Sequence, residues 1–265
     1  MNAGAGFPMR PAALAERRHS PLRYELAAGI YSANSWKSLM RFLKEKPSIQ
    51  LLVFDLDGTL VDSKTDLALS VNATLEHLGR PPLDDETIYS YVGRGAPALI
   101  AQAVGKGVTP SEVERGLDFF IYYYSQHKLD NTRLYPGVRE ALNQLANGKS
   151  SPQRIMAVLS NKPVYPSREM VRELGLGSLF RYIYGGNSFD TKKPDPEGLN
   201  YILDQTGVTP EAAMIIGDSD VDIQAGLNAG TWTCGVTHGF GNLALDANPP
   251  DLVVDNLLEL AKALE

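Results

Sequence analysis

The run Leu51-Leu52-Val53-Phe54-Asp55-Leu56-Asp57-Gly58-Thr59 decides how the chain is read. Four apolar residues stop abruptly at two carboxylates and a glycine. A short apolar run without alternation fits a strand buried on both faces, and a sudden polar end fits a strand that opens into a site. The pattern recurs downstream. Ile155-Met156-Ala157-Val158-Leu159 ends in Ser160-Asn161, Tyr182-Ile183-Tyr184 in Gly185-Gly186, and Ala213-Met214-Ile215-Ile216 in Gly217-Asp218. Thr233-Cys234-Gly235-Val236 and Leu252-Val253-Val254 read as the last two strands. Apolar residues at helical spacing separate these runs around 137–147, 164–175, 196–206 and 221–229. Alternating strands and helices predict an α/β fold, a doubly wound parallel sheet covered on both faces.

The interval 66–133 breaks the rhythm. Helical patterns run from Leu67 to Leu78, Asp85 to Tyr91, Ala96 to Val104 and Ser111 to His127, with no strand among them. It reads as a small all-helical cap inserted after the first strand, with residues 49–65 and 134–265 forming the core and Tyr135-Pro136-Gly137-Val138 marking the return. Residues 1–48 carry eight Lys/Arg against three Glu and no sustained period, so a poorly ordered extension is expected there, with Met40 as an alternative start.

With 265 residues, 43% hydrophobic and 21% charged, the chain has apolar material for one large domain or two smaller ones. Its net charge of −6 offers no footprint for nucleic acid or an anionic membrane surface. No apolar run reaches membrane-spanning length and no secretory block opens the chain. Cys234 is the single cysteine, which excludes an intrachain disulfide, a Cys₄ zinc site and a CxxC pair. A cytoplasmic protein acting on a small molecule is expected.

Ligands of doubly wound sheets bind beyond the carboxyl ends of the strands. Asp55, Asp57, Ser160, Asn161 and Asp218 all stand at such ends and should converge. Clustered carboxylates raise one another's pKa unless a cation lies between them, and an oxygen-only donor set suits Mg²⁺. Lys193, in Thr191-Lys192-Lys193-Pro194, brings a positive charge to the same rim.

Taken in order, Asp55-Leu56-Asp57-Gly58-Thr59, Ser160-Asn161, Lys193-Pro194 and Gly217-Asp218-Ser219-Asp220-Val221-Asp222 resemble the four signatures of the haloacid dehalogenase superfamily, with its Rossmann-like core, over nearly everything after residue 48. The resemblance implies that Asp55 is the nucleophile, forming an aspartyl-phosphate, and that Asp57 is the general acid and base. It implies that Mg²⁺ is held by the Asp55 and Asp218 carboxylates and the Asp57 main-chain carbonyl, with Asp222 supporting. Gly58, Thr59, Ser160, Asn161 and Lys193 would bind the phosphoryl group. An acid at position 57 fits a phosphatase rather than a dehalogenase, because a departing halide needs no proton.

The insertion resembles the cap of phosphoglycolate phosphatases, with Tyr91-Val92-Gly93-Arg94-Gly95-Ala96 at the substrate-facing loop. Arg94 would pair with a substrate carboxylate, making phosphoglycolate the favoured small phosphorylated metabolite. A phosphomutase of β-phosphoglucomutase type, a pyrophosphatase or nucleotidase on the same core, and a non-enzymatic binding protein remain the alternatives, and either a monomer or a homodimer is expected. Asp218-x-Asp220-x-Asp222 imitates a calcium loop, but Ile223 stands where glycine is needed and Ala229 where glutamate is needed. Lys192 reads as a solvated neighbour of Lys193, and Tyr122-Tyr123-Tyr124 as cap packing or cleft entrance.

Overall fold

The protein's structure is a computed structural model that describes residues 33–45, 47–147, 153–245 and 247–265. Six parallel strands form one sheet in the order β5-β4-β1-β6-β7-β8. They are β1 (Leu51–Phe54), β4 (Ile155–Leu159), β5 (Tyr182–Tyr184), β6 (Ala213–Gly217), β7 (Trp232–Val236) and β8 (Leu252–Val254). Every residue of β1, β6 and β7 is buried, as continuous apolar runs in a sheet covered on both faces should be. Phe54 pairs with Val158 on one side and Ile216 on the other, so the ends of β4, β1 and β6 lie side by side. The chain builds outward from β1 through β4 to β5, then returns to place β6 on β1's free side. That reversal creates the crevice.

Helices α6 (Val138–Asn147), α7 (Val164–Glu173), α8 (Glu197–Thr206), α9 (Asp220–Ala229) and α10 (Leu257–Ala263) cover the sheet. Two apolar clusters lie on its faces. Leu52, Phe54, Met156 and Ile216 contribute to one, and Leu51, Val53, Ala157 and Ile215 to the other, as alternation along each strand requires.

Poor order through residue 48 does not describe Ala33–Glu45, which forms helix α1. Its Leu39 and Phe42 join the larger core cluster, and Phe42 meets Trp232 edge-on at 5.7 Å between ring centroids. Such a pair contributes about 0.5–1.5 kcal/mol beyond the area it buries. Met40 lies within this helix and is exposed. The rest of that expectation, on 1–32, falls outside the described residues.

The cap consists of α2 (Lys64–His77), α3 (Asp85–Tyr89), α4 (Ala96–Val104) and α5 (Pro110–His127). It has its own core, in which Val71, Leu75, Ile88, Ile100 and Phe120 are buried together. Thr109 and Glu112 form a reciprocal capping box that starts α5. Two short antiparallel strands, β2 (Val61–Asp62) and β3 (Arg133–Leu134), form the neck between cap and core. Buried Asp66 accepts hydrogen bonds from the Asn131 and Thr132 backbone N–H groups and from both side chains at 2.7–3.0 Å, fastening the outgoing chain to the returning one. Among the described residues no helix is long and apolar enough to cross a membrane.

Candidate active site

The carboxyl ends of β1, β4 and β6 meet the underside of the cap at a cavity of about 460 Å³. Asp55, Asp57, Ser160, Asn161, Lys193 and Asp218 all line it. Lys193 Nζ lies at the centre, donating to Asp55 Oδ1 at 2.8 Å and Asp222 Oδ1 at 2.6 Å. Asp222 therefore has a defined task that the sequence left as support. Its other oxygen accepts from the Ser219 hydroxyl at 2.6 Å, so the start of α9 fixes the carboxylate that orients Lys193.

Asp55, Asp218 and Asp222 each present one oxygen within 4.8 Å of the others, all three buried. Burial pushes Asp55 up to about 6, with Lys193 opposing and Asp222 reinforcing the shift. Burial also holds Asp218 well above the usual carboxylate range, helped by Asp222 and Asp55. One lysine does not neutralise three buried acids, and a cation among them would. For Lys193, burial alone would favour the neutral amine, but Asp222 and Asp55 outweigh it and raise the ammonium's pKa.

The backbone closes tightly round Asp218. A Cβ on Gly58 would stand 1.9 Å from Asp218 Oδ2 and one on Gly239 would stand 2.3 Å from it. The Phe240 and Gly241 N–H groups donate to the same oxygen at 3.1 and 2.7 Å, leaving Oδ1 without a hydrogen bond among the described residues. Oxygen donors of this kind, preset by backbone, fit a hard divalent cation.

Asp57 is held differently. Ser63 Oγ donates to its Oδ1 at 2.6 Å, and Lys162 Nζ donates to both carboxylate oxygens at 3.0 Å. Lys162 also donates to Tyr124 Oη, on cap helix α5, at 2.6 Å. Burial pushes the Tyr124 phenol up to about 12 against the pull of Lys162, which keeps it a neutral hydroxyl. Sequence reasoning missed Lys162 altogether and gave Tyr124 no chemistry. Asn161 uses its side-chain amide to donate to the carbonyls of Gly93 in the cap and Lys193 in the core, both at 2.9 Å.

Three expected phosphate or substrate contacts lie elsewhere. Gly58 has φ +84 and makes room for Asp218 rather than lining the cavity. Thr59 is fully buried beneath the site, where its carbonyl accepts from His238 Nε2 at 3.0 Å. Arg94 is exposed and outside the cavity lining, because the glycines on either side of it turn the loop so that they, not Arg94, face inward. Lys192 is exposed, as expected of a solvated neighbour of Lys193, and also borders the cavity, with Nζ 3.5 Å from where a Cβ on Gly95 would stand.

The profile of the haloacid dehalogenase-like hydrolases matches residues 52–236. The chain belongs to that family. Within it, the chain is 38% identical over 218 residues to a phosphoglycolate phosphatase of Pseudomonas putida, covering 80% of this chain and 78% of that one. To a phosphoglycolate phosphatase of Haemophilus influenzae it is 36% identical over 223 residues, covering 81% and 98%. A crystal structure described as a predicted phosphoglycolate phosphatase from Haemophilus somnus superposes with a TM-score of 0.76 at 31% identity, covering 82% of this chain and 99% of that one. This haloacid dehalogenase-like protein is an enzyme, a phosphoric monoester hydrolase, and its buried acidic triad could hold a metal ion.

Proposed function

We propose that the enzyme hydrolyses phosphoglycolate in a Mg²⁺-dependent reaction through an aspartyl-phosphate on Asp55. The observation that carries the reading is the Asp55–Lys193–Asp222 arrangement beside Asp218, at the adjoining ends of three strands. Asp55 attacks phosphorus while the ester P–O bond breaks, and the leaving oxygen takes a proton from Asp57. Water then attacks the phosphoryl group, giving its proton to Asp57, and the bond to Asp55 breaks to release inorganic phosphate. Lys193, Ser160 and the Asn161 backbone N–H bind the phosphoryl oxygens. The carboxylates of Asp55 and Asp218 and the Asp57 main-chain carbonyl would hold Mg²⁺, with Asp222 behind them. When bound there, Mg²⁺ offsets the charge of the phosphoryl oxygens.

The relatives' names support phosphoglycolate, and Lys192 at the cap-facing rim supplies the cation for its carboxylate in place of Arg94. The cavity's volume of about 460 Å³ and its apolar cap wall of Val92, Leu99, Phe120 and Ile121 favour, as a second reading, a bulkier phosphate monoester. Phosphate release from phosphoglycolate, pyrophosphate, nucleotides and sugar phosphates, with and without Mg²⁺, separates the two. Asp55→Asn should abolish release while retaining the wild-type circular dichroism. Substantial residual activity in that variant would remove Asp55 as nucleophile.

A further inference from the structure

We propose that His238 is a positioning residue for the metal: it ties the turn that carries Asp55 to the loop that grips Asp218, and so sets the spacing of those two carboxylates. This rests on the reading of Asp55 and Asp218 as Mg²⁺ carriers. The loop follows β7 and runs Thr237-His238-Gly239-Phe240-Gly241. Its far end is committed to Asp218, because the Phe240 and Gly241 N–H groups donate to one carboxylate oxygen at 3.1 and 2.7 Å. Its near end is committed to the turn after β1. There His238 Nε2 donates to the Thr59 carbonyl at 3.0 Å, and the Leu56 carbonyl closes the same turn by accepting from the Thr59, Leu60 and Val61 N–H groups.

Between those two ends the backbone has no slack. A Cβ on Gly239 would stand 2.3 Å from Asp218 Oδ2 and 2.5 Å from the Gly58 carbonyl oxygen, so the loop is wedged between the two carboxylate-bearing segments. Close packing of this kind passes a shift at position 238 directly to Asp218. The imidazole is itself fixed from the far side of the sheet's edge. Its Nδ1 faces the Asp255 carbonyl, just past β8, at 3.1 Å, and its ring lies 4.4 Å from that of Tyr135. Thr237 fastens the same stretch, with its N–H on the Val254 carbonyl at 3.0 Å and its hydroxyl on Asp255 Oδ1 at 2.7 Å. His238 is outside the cavity lining, so any effect on the reaction runs through the carboxylates. Asp55 and Asp218 present oxygens within 4.8 Å of each other, and Mg²⁺ demands a near-octahedral oxygen set at about 2.0–2.1 Å, which makes its binding sensitive to that spacing.

The test measures Mg²⁺ binding to the full chain by isothermal titration calorimetry without substrate, and separately kcat as a function of Mg²⁺ concentration. His238→Phe keeps a ring beside Tyr135 and removes both nitrogens; His238→Gln keeps one amide donor for the Thr59 carbonyl. Partners that orient metal ligands typically contribute about 10–100-fold in affinity, so Kd for Mg²⁺ should rise about 10-fold or more in His238→Phe and about 3-fold in His238→Gln. At saturating Mg²⁺, kcat should stay within about 3-fold of wild type, because the reacting groups are intact. Circular dichroism shows whether each variant folds, and if His238→Phe does not, the affinity of His238→Gln decides alone. A lowered melting temperature with unchanged Mg²⁺ affinity would show packing only and overturn the positioning role, as would a loss of kcat that excess Mg²⁺ does not restore. Wild-type protein that binds no Mg²⁺ would overturn the metal reading beneath it, and this inference with it.

Discussion

Asp66→Ala should be among the most damaging single changes outside the cavity. The carboxylate is 1% exposed and receives hydrogen bonds from the Thr132 N–H at 2.8 Å and the Thr132 hydroxyl at 2.7 Å. Thr132 is itself 1% exposed, so both donors lose their acceptor where water does not reach them. Each buried donor left unpaired costs about 1–3 kcal/mol, which gives about 2–6 kcal/mol for the two. The Asn131 donors lie nearer solvent and regain water, so they add little. A destabilisation of about 3–4 kcal/mol follows, and with a urea slope near 3 kcal/mol/M the midpoint should fall by about 1 M. Urea unfolding followed by far-ultraviolet circular dichroism measures it. A shift below about 0.3 M at unchanged slope would show that the neck does not depend on Asp66.

Phe42→Ala should lower stability by about 3–5 kcal/mol, because it empties a buried site against Trp232; an unchanged melting temperature would mean that α1 is dispensable. Asp55 shifted from 3.8 to about 6 binds more protons folded than unfolded between those values, so its contribution to metal-free stability falls as pH rises through that window. Mg²⁺ must displace that proton, and the rise in melting temperature on adding Mg²⁺ should be larger at pH 7.5 than at pH 5. Equal rises would argue against metal at Asp55. Lys192→Ala should raise KM for phosphoglycolate well above its effect on phenyl phosphate, whereas Arg94→Ala should change the two little and alike. The reverse pattern would return the carboxylate contact to Arg94.

The strand ends were legible because an apolar run broken by carboxylate or glycine is a local signal, and β1, β4, β5, β6, β7 and β8 all stand where those runs predicted. Helix α1 was obscured by its surroundings. Leu39, Phe42 and Leu43 have helical spacing, but lysine and arginine on both sides suggested solvent. Helix α10 carried a readable start in Asn256, whose side chain accepts from the Leu258 and Glu259 N–H groups. Strands β2 and β3, of two residues each, are too short to show a period. Within the site, Lys162 escaped notice because its two partners, Asp57 and Tyr124, meet it only in the folded chain. Gly58 and Thr59 lie outside the cavity lining for the opposite reason: a motif fixes which residues are neighbours in sequence, and not which of them turn toward the cavity.

The neck has a further consequence. Val61 pairs with Leu134 and Asp62 with Arg133, so the cap departs and rejoins at adjoining points on one short ribbon. Everything between those pairs is topologically a single detachable loop with an apolar centre of its own. A different insert grafted at the same two points would change which molecules are admitted while leaving β1, β4 and β6 to present the same reacting groups. The ribbon is thus the covalent seam between selection and reaction, and an insert transplanted there must also supply the acceptors that Gly93 and Tyr124 give to Asn161 and Lys162.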